Sequence, residues 1–587
     1  MAGPLRIIAS PLRLSGAPRR VELTTLLTAD AMARHRRQYG DEVSLIVTSL
    51  PTDGATQAAV DVELAKEGHD RASLTRDEFI ERVRMAEEDG RERVAADLEA
   101  LGIDQVRAER ELDADRVVEA ARTAFVRLYE SGSVRREREV IGSCPRCATV
   151  VGDADIDVVE VEADILTVRL WFSDAYGHID IETVTPELLP GSVALAVPEG
   201  TELAGLKVEL PLVGEDIPVI VDAAVDHPTL VVPGHDDGSL ELARRHRFAP
   251  IEVLDADGVV RMPGALDGLS RYAARTAARD LLGAEGALID ARPGVEVAER
   301  CTWCSTLLVP RLSRHWFLPF RDLEVAAADA VRHGTFALAP PAATDELIAS
   351  AGAAGDWCLS EQVWAGQPLP VSRCLECHHV DVSVDVPASC RRCMGVLEPS
   401  ADVIDPRFVA ALVPLVVAGY PTATPAQLQA AAEATTLVVG PDDIGEWVIP
   451  MAALGLRLAG VVPFTRVILA CRAERLIVGE PNDPIDPDPD APVDVVTMVA
   501  DHGRAASRLA LLHGDTSAVP AGQVVRLLAD PPVGRASTAA LAGDIDEAFE
   551  AGSPATAVSL LSAVLAEGIP VGERPRLAEI AAPLVGS

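Results

Sequence analysis

Apolar residues in the first 150 positions follow two patterns. Short apolar runs at Leu5–Ala9 and Val43–Ser49 predict strands, whereas helical spacing predicts helices over Arg76–Leu101 and Asp115–Tyr129. Strands that alternate with helices are typical of a parallel sheet. This region therefore predicts one half of an α/β domain.

The pattern changes near Asp155. Alternating apolar and polar positions in DIDVVEVEADILTVRLWF and LKVELPLVGEDIPVIVD, separated by Pro, Gly and Asp turns, predict a strand-rich domain. Helical α/β character returns near Arg311. The run GEPNDPIDPDPDAPVDVV predicts an exposed loop, and the last 70 or so residues, rich in Ala and Leu, predict helices. This order favours one domain inserted into the middle of another.

Length and composition predict a globular protein. A chain of 587 residues with 48% hydrophobic content is long enough for two to four packed domains. No apolar run is long enough to span a membrane, and the N-terminal residues lack the pattern of a signal peptide. We therefore expect a cytoplasmic protein without a membrane partner.

The charge of the chain argues against non-specific binding of nucleic acid. Ninety acidic residues face 52 basic ones, which gives a net charge of -38, and only Lys66 and Lys207 are lysines. Nucleic-acid binding relies on basic side chains that displace counterions. A localised arginine patch would be needed to hold RNA.

Eight of the ten cysteines form four C-x2-C pairs. In a cytoplasmic chain such pairs indicate metal binding rather than disulfides. Two pairs have the spacing C-x2-C-x12-C-x2-C, which is close to that of zinc ribbons, and their cysteines are Cys374, Cys377, Cys390 and Cys393. They predict one structural zinc ion, against the alternative of four reduced thiols. His378 and His379 are spare ligand candidates.

The other two pairs flank the strand-rich segment. They are Cys144 and Cys147 on one side, Cys301 and Cys304 on the other. Because the ends of an inserted domain lie close together, the four thiolates would share a second structural zinc. The alternative is two unoccupied knuckles. Cys358 and Cys471 are predicted to be small buried core residues.

Several segments carry a resemblance to one family. They include HRRQYGDEVSLIV, VELAKEGHDRASLTRDEFIERV, AFVRLYESG, CPRC, PELLPGSVALAVP, VPGHDDGSLELARRH, RCTWCSTLLVPRLSRHWF, DWCLSEQVWAGQPLP, DVIDPRFVAALVPLVVAGYP, GLRLAGVVPFTRVIL and DPIDP. In this order and spacing the chain resembles the valyl-tRNA synthetases, a class I aminoacyl-tRNA synthetase family. The resemblance extends to about residue 510 of the 587.

The resemblance implies an α/β fold with a doubly wound, Rossmann-like nucleotide-binding body, an inserted β-rich editing-like domain, zinc knuckles and a short C-terminal helical domain. The predicted division is 1–150 for the first half of the body, 151–312 for the insertion, 313–470 for the second half, 471–515 for a stem-contact-like region and 516–587 for a truncated anticodon-binding-like stub.

Both ATP-binding signatures of the family are altered. The position of its His-x-Gly-His motif holds Arg19-Arg20-Val21-Glu22, and Glu22 would repel the nucleotide. The position of its Lys-Met-Ser-Lys-Ser loop falls near Leu476–Glu480, inside a stretch without lysine. Because activation depends on cations that neutralise the triphosphate, ATP is expected to bind poorly.

The signatures that hold the amino acid and the adenylate also differ. The family's Asp-His-Ala-Gly falls at Leu50-Pro51-Thr52-Asp53, where Leu50 cannot pair an ammonium, although a one-residue slip would restore a carboxylate through Asp53. Its Asp-Thr-Trp-Phe is Asp405-Pro406-Arg407-Phe408, which loses the tryptophan.

The editing signatures diverge in the same way. Thr-Thr-Arg-Pro-Glu-Thr resembles Thr183–Leu188 here without its arginine, and the ammonium-binding Asp of His-Asp-x-x-Asp is Ser239. Asp236 and Asp237 remain, and solvated loop carboxylates are the simpler interpretation.

We therefore predict a non-catalytic relative with a binding or regulatory role, and tRNA or another protein as its partner. The alternative is an active ligase or adenylate-forming enzyme that uses Arg19, Arg20 and Arg475 in place of the missing groups.

Overall fold

The computed structural model describes residues 4–50, 53–103, 114–352, 355–470, 492–502, 504–513, 538–550, 553–554, 556–558 and 574–585. They group into two compact units. The first falls within 1–134, 318–357 and 364–587, and the second within 135–317 and 358–363. The chain of the second unit thus interrupts that of the first. The five-part division given above stays a prediction.

The elements alternate between strands and helices at both ends of the chain. The strands are β1 (Leu5–Ala9), β2 (Val43–Ile46), β3 (Arg135–Cys144), β4 (Thr149–Val150), β5 (Ile156–Trp171), β6 (His178–Thr183), β7 (Ala194–Val197), β8 (Lys207–Leu210), β9 (Glu215–Val221), β10 (Thr229–Val231), β11 (Leu288–Cys301), β12 (Val309–Pro319), β13 (Ala337–Ala339), β14 (Asp356–Cys358), β15 (Ser360–Glu361), β16 (Val371–Cys374), β17 (Val380–Val382), β18 (Leu397–Pro399), β19 (Val403–Ile404), β20 (Thr435–Val439) and β21 (Arg466–Leu469). The α-helices are α1 (Arg20–Gln38), α2 (Gly54–Lys66), α3 (Arg76–Leu101), α4 (Ala114–Glu130), α5 (Asp237–His246), α6 (Arg271–Glu285), α7 (Arg321–Arg332), α8 (Ala342–Ser350), α9 (Pro406–Ala411), α10 (Val413–Ala418), α11 (Pro425–Glu433), α12 (Ile449–Ala459), α13 (Val495–His502), α14 (Arg504–His513), α15 (Thr538–Glu550) and α16 (Arg574–Val585).

A five-stranded parallel sheet lies at the centre of the first unit. Its order is β13-β21-β20-β1-β2, and β1 pairs in parallel with both β2 and β20. This confirms the predicted α/β fold class and the strand Leu5–Ala9. The second predicted strand ends earlier, at Ile46, because its partner β1 ends at Ala9; pairing then resumes only as an isolated bridge between Leu12 and Ser49.

The predicted helices of the first unit are confirmed. α3 begins with a capping box in which Thr75 and Glu78 exchange hydrogen bonds, and it ends at Gly102, whose φ of 71° is the left-handed conformation of a helix C-terminus. α1 packs its apolar residues, such as Leu26, into a core shared with the C-terminal helices, which contribute Leu509.

A buried ion pair joins α14 to α1. Arg508 is fully buried, and its Nη2 donates to Asp30 Oδ2 at 2.7 Å. The same guanidinium donates to the carbonyl oxygens of Leu101 and Leu584, each at 3.1 Å. One side chain therefore contacts α1, the end of α3 and the end of α16.

The second unit is strand-rich, as predicted. β5 pairs with β11 over most of its length, and β6 completes this antiparallel sheet. β12, β3 and β4 pair antiparallel in a second sheet, and the order β10-β7-β9-β8 makes a third, mixed sheet in which β7 and β9 are parallel. Leu166, Val168 and Leu195 lie in the core between strands and α6. No helix among the described residues could cross a membrane.

Substitution Arg508→Met should destabilise the first unit by about 3 kcal/mol, because it leaves several buried acceptors unsatisfied and breaks a buried ion pair. Hydrogen exchange of α1 and α14 amides, measured by mass spectrometry, reports the loss. The control Arg84→Met breaks an exposed pair with Glu81, whose side chains are 65% and 60% exposed, and should change stability by less than about 0.5 kcal/mol. Equal effects of the two substitutions would show that Arg508 has no special role.

Candidate functional site

A crevice lies at the carboxyl edge of the parallel sheet, where β1 runs between β2 and β20. In doubly wound sheets ligands bind outside the carboxyl ends of the strands, where neighbouring strands lead away in opposite directions. This position makes the crevice the candidate site. Its charged lining residues are Arg13, Arg19, Glu22, Asp443 and Glu446.

The N-terminus of α1 opens into this crevice. Glu22 Oε2 accepts the backbone N–H of Arg19 at 2.8 Å, and Glu22 Oε1 accepts the Arg19 guanidinium at 3.1 and 3.2 Å. A helix N-terminus attracts anions through its free N–H groups and its dipole. Here the carboxylate of Glu22 occupies that position, and the positive charge of Arg19 is paired with it.

The opposite wall comes from the segment that follows β20. Asp443 accepts the N–H of Gly440 at 2.9 Å, and burial raises the pKa of Asp443. Glu446 lies on a π-helical turn, Ile444–Val448, and its Oε1 is 3.8 Å from Arg13 Nη2. The room between these side chains is about 10 Å³, enough for about one water molecule.

The two residues predicted for the ammonium-binding position, Leu50 and Asp53, have different roles in the structure. Leu50 is buried and lines the crevice, whereas Asp53 caps α2: its Oδ1 accepts the backbone N–H of Thr56 at 2.8 Å and the Thr56 hydroxyl at 2.7 Å. Asp53 is therefore engaged in starting a helix. Pro51 and Thr52 lie outside the described residues.

The segment predicted to lie beside the adenylate, Asp405–Phe408, also forms hydrogen bonds within the protein. Asp405 is buried and caps α9, accepting the N–H of Arg407 at 2.8 Å. Its other oxygen accepts the indole N–H of Trp357 at 2.7 Å. The Trp357 ring packs edge-on against Phe408. Leu476–Glu480, Arg475 and Cys471 lie outside the described residues, and Arg20 is buried.

In the second unit the predicted editing entry is part of a buried charge network. Glu187 lies on the 3-10 helix Pro186–Gly191 and is fully buried. Arg271 and Arg275, one turn apart on α6, each bond both Glu187 and Glu296, at 2.6 to 3.2 Å. Burial disfavours the charged form of Arg275 and lowers its pKa, but the hydrogen bonds to Glu187 and Glu296 have the larger combined effect. The pKa of Arg275 is therefore raised. Only the i, i+4 spacing of the arginines could have indicated this network from sequence.

The His-Asp-Asp segment has a structural role as well. His235 is buried; its Nδ1 donates to the carbonyl of Pro310 at 2.7 Å, and its Nε2 accepts the N–H of Val253 at 2.8 Å. Burial lowers the pKa of His235 to about 4. Asp236 caps α5 by accepting the N–H of Ser239 at 2.6 Å.

Asp237 differs from Asp236 in having no such helix-cap bond. Desolvation of its carboxyl group and the nearby Asp236 raise its pKa to about 6. A second histidine, His315, was not singled out from sequence; it is buried, bonds Ser313, and burial lowers its pKa to about 4.

The eight paired cysteines meet in two groups of four. These are Cys144, Cys147, Cys301 and Cys304, and Cys374, Cys377, Cys390 and Cys393. In each group the four Sγ atoms lie within 4.8 Å of one another. The sulfurs of Cys144 and Cys304, and those of Cys374 and Cys393, are 3.4 Å apart. A tetrahedral zinc with bonds of about 2.3 Å separates its sulfurs by about 3.8 Å, so each group could hold zinc.

All four C-x2-C turns share one backbone conformation. The residue after each second cysteine has a positive φ, between 57° and 66°, although none is glycine: Ala148, Ser305, His378 and Met394. Each of these residues donates its N–H to the carbonyl of the first cysteine of its pair, at 2.8 to 3.0 Å. Such φ values are uncommon for non-glycine residues. The repeat shows that the four turns are built alike.

The structure also describes Cys358 and the two histidines that the sequence offers as spare ligands. Cys358 is buried, as predicted. His378 bonds Arg373 through its Nδ1 at 3.1 Å, and among the described residues neither His378 nor His379 belongs to a group of possible metal ligands.

Residues 15–517 match the family model of the class I tRNA synthetases (I, L, M and V). The valine–tRNA ligase of Carboxydothermus hydrogenoformans is 31% identical over 526 residues, which are 87% of this chain and 59% of that protein. That of Syntrophotalea carbinolica is 29% identical over 521 residues, 86% of this chain and 57% of that protein. The chain thus spans somewhat more than half the length of these curated relatives.

Two solved structures have a more distant similarity. The LeuRS of Agrobacterium radiobacter K84, in a ternary complex with tRNA and LeuAMS, has a TM-score of 0.49 at 14% identity and covers 100% of this chain and 84% of that chain. The methionyl-tRNA synthetase of Mycobacterium tuberculosis bound by methionyl-adenylate has a TM-score of 0.46 at 13% identity, with 98% and 84% covered. At these values the likeness adds no argument about function.

The low pKa of His235 predicts a pH dependence of the second unit. Between about pH 6.5 and 4 the unfolded chain protonates this histidine and the folded chain does not, so stability falls as the pH is lowered, by about 1.4 kcal/mol per pH unit. Hydrogen exchange of β5 and β11 amides across this range measures it.

The substitution His235→Gln should remove this part of the slope. Asp237 titrates in both proteins, so its contribution to the pH dependence cancels when the two slopes are compared. His69→Gln, at an exposed position in the first unit, is the control and should leave the slope unchanged. An unchanged slope in His235→Gln would contradict the prediction.

Proposed function

Because the chain belongs to the class I tRNA synthetases of the isoleucine, leucine, methionine and valine group, we propose that it is a valine–tRNA-ligase-like protein that does not activate an amino acid and acts by binding. The family's reaction joins a carboxylate to the α-phosphorus of ATP. It requires a site that holds the triphosphate and neutralises its charge.

The observation that carries this proposal is the carboxylate of Glu22 at the N-terminus of α1. In the crevice three carboxylates face two guanidinium groups, and Arg19 and Arg13 pair with Glu22 and Glu446. A phosphate brought to about 4 Å from one such carboxylate meets a repulsion of about 4 kcal/mol at an effective dielectric of 20. The chain's own anion thus competes with the nucleotide for the same cation and the same helix end.

The amino-acid side of the crevice supports the same proposal. A substrate ammonium needs a carboxylate that is free to pair with it. Leu50 is apolar, and the carboxylates of Asp53 and Asp405 already accept hydrogen bonds at the starts of α2 and α9. Pairing an ammonium with either would cost a helix cap, about 1 kcal/mol.

For the second unit we propose that it retains the editing domain's fold without its hydrolytic activity. Glu187 is neutralised by Arg271 and Arg275 inside the unit, and Ser239 donates its backbone N–H to Asp236 instead of offering a carboxylate. The groups that the editing signatures provide in the family are here part of the internal packing.

We further propose that both cysteine groups bind structural zinc. Four thiolates at tetrahedral separations leave no position for a reacting water, so the metal would supply folding energy and no chemistry. Cys144 and Cys147 would be tied to Cys301 and Cys304, and Cys374 and Cys377 to Cys390 and Cys393.

The binding role requires a partner, for which we propose tRNA or another protein. The net charge of -38 disfavours non-specific contact with a polyanion, so a tRNA would need a local arginine surface. The competing possibility, an active ligase that uses Arg19, Arg20 and Arg475, requires Arg19 to leave Glu22.

The first test is amino-acid-dependent ATP–pyrophosphate exchange with each of the twenty amino acids. We expect no exchange above background, since the two arginines that line the crevice among the described residues already pair with Glu22 and Glu446. Exchange with any amino acid would show that the protein is an active enzyme and would overturn the proposal.

A substitution tests the role of Glu22 directly. Glu22→Gln keeps the shape of the side chain but removes its charge, and should tighten ATP binding at least about tenfold, measured by calorimetry. Glu63→Gln, at an exposed position on α2, is the matched control and should have no effect. If ATP binds the wild-type protein and Glu22→Gln equally tightly, Glu22 does not exclude the nucleotide.

Metal analysis tests the zinc proposal. The purified chain should contain two zinc ions, and the double substitution Cys390→Ser with Cys393→Ser should contain one, because serine does not replace a thiolate ligand for zinc. The exposed substitution Ser131→Ala is the control and should retain both ions. A wild-type protein without bound metal would refute the assignment.

A further inference from the structure

The two cysteine groups have the same ligands in different surroundings. The buried cluster, defined as Cys144, Cys147, Cys301 and Cys304, has three buried members and one partly buried. It packs against Val151 and Leu308 in an apolar core, with Trp303 beside it. Peroxides and other polar reagents therefore have little access to its sulfurs.

The exposed cluster, defined as Cys374, Cys377, Cys390 and Cys393, faces solvent. Cys393 is exposed and Cys377 is partly buried. The apolar neighbours do not cover them, because Leu375 is 54% and Met394 75% exposed. Water and small solutes can thus reach the Cys393 side of this cluster.

Arginines flank both clusters. In the buried cluster, Arg146 lies between Cys144 and Cys147, and Arg300 precedes Cys301. Arg391 and Arg392 stand between Cys390 and Cys393, and both are exposed. Arg391 Nε is 3.4 Å from Asp381, so its charge is shared with a carboxylate, while Arg373 contributes a third guanidinium close to His378. Neighbouring cations stabilise thiolates, the reactive form of cysteine, in both clusters, so access of solvent rather than charge separates the two.

We infer that the exposed cluster is a thiol-oxidation site that reacts with peroxides, while the buried cluster resists them. The inference rests on the zinc binding proposed above. Susceptibility to oxidation follows thiolate character and exposure. The two clusters have the same four ligands, and of the two only the exposed cluster has a cysteine in the exposed class, Cys393. Cys393 is the side chain that meets the oxidant first.

The reaction balances with hydrogen peroxide as the only oxidant. The Cys393 thiolate attacks one peroxide oxygen, so an S–O bond forms, the O–O bond breaks and hydroxide leaves as water after taking a proton. The Cys374 thiolate, 3.4 Å away, then attacks the Cys393 sulfur; an S–S bond forms and a second hydroxide leaves as water. Two thiolates lose two electrons, and zinc, left with two ligands, is released.

The test uses the full-length protein with its bound zinc. Hydrogen peroxide is added, zinc release is followed with a chromogenic chelator, and the cysteines are identified by differential alkylation and mass spectrometry. We expect one zinc to leave at least about tenfold faster than the other, with Cys374 and Cys393 protected from alkylation first. A thiol reductant and added zinc should restore both ions. Peptide masses separate sulfur oxidation at Met394 from the cysteine reaction.

Variants assign the fast phase. Cys393→Ser should abolish it, whereas Cys304→Ser should retain it; if Cys304→Ser does not fold, the alkylation pattern of the wild-type protein decides. Release of both ions at one rate, or earlier oxidation of Cys144 or Cys301, would overturn this inference and leave the zinc assignment intact. A protein that contains less than one zinc per chain overturns both.

Discussion

The fold of the second unit depends on one long-range contact, which brings Cys144 and Cys147 together with Cys301 and Cys304. Residues 148–300 separate the two pairs, and bringing such distant segments together costs chain entropy that local structure cannot offset. Strand pairing beside the sulfurs also stabilises this contact, because Ser143 pairs with Val309 and Ile156 with Cys301. Two of the three sheets of the second unit, those containing β5 with β11 and β3 with β12, extend from this point, so the cysteine group lies where both begin.

Carboxylates at positions that resemble catalytic signatures are used for local structure. Glu22, Asp53, Asp236 and Asp405 each lie at the start of a helix and accept a backbone N–H there. The first N–H groups of a helix have no partner within it, and an acidic side chain satisfies them well. A carboxylate so engaged is a poor partner for a substrate ammonium or a phosphate-bound metal. The proposed loss of activation follows from this common use.

Buried charge is compensated inside each unit. Arg508 pairs with Asp30 in the first unit, and Arg271 and Arg275 pair with Glu187 and Glu296 in the second. Removing one partner from such a pair is far more costly than never having placed it there. Internal pairing thus removes charged groups from the surface where substrates would meet them. The proposed difference between the two cysteine clusters is of the same kind, since identical ligands react differently according to what covers them.

The sequence alone determined the features that depend on short spacings: the helix Arg76–Leu101, the strand Leu5–Ala9, the four C-x2-C turns and the α/β class. Periodicity and turn geometry are local, so these elements can be read from neighbouring residues. Only the tertiary structure decided which charges stay available. Arg508 meets Asp30, and Asp443 faces Glu22, across hundreds of residues, and no local pattern reports which of two distant groups will pair. Burial and pairing are properties of the packed chain, and they decide whether a carboxylate caps a helix or binds a ligand.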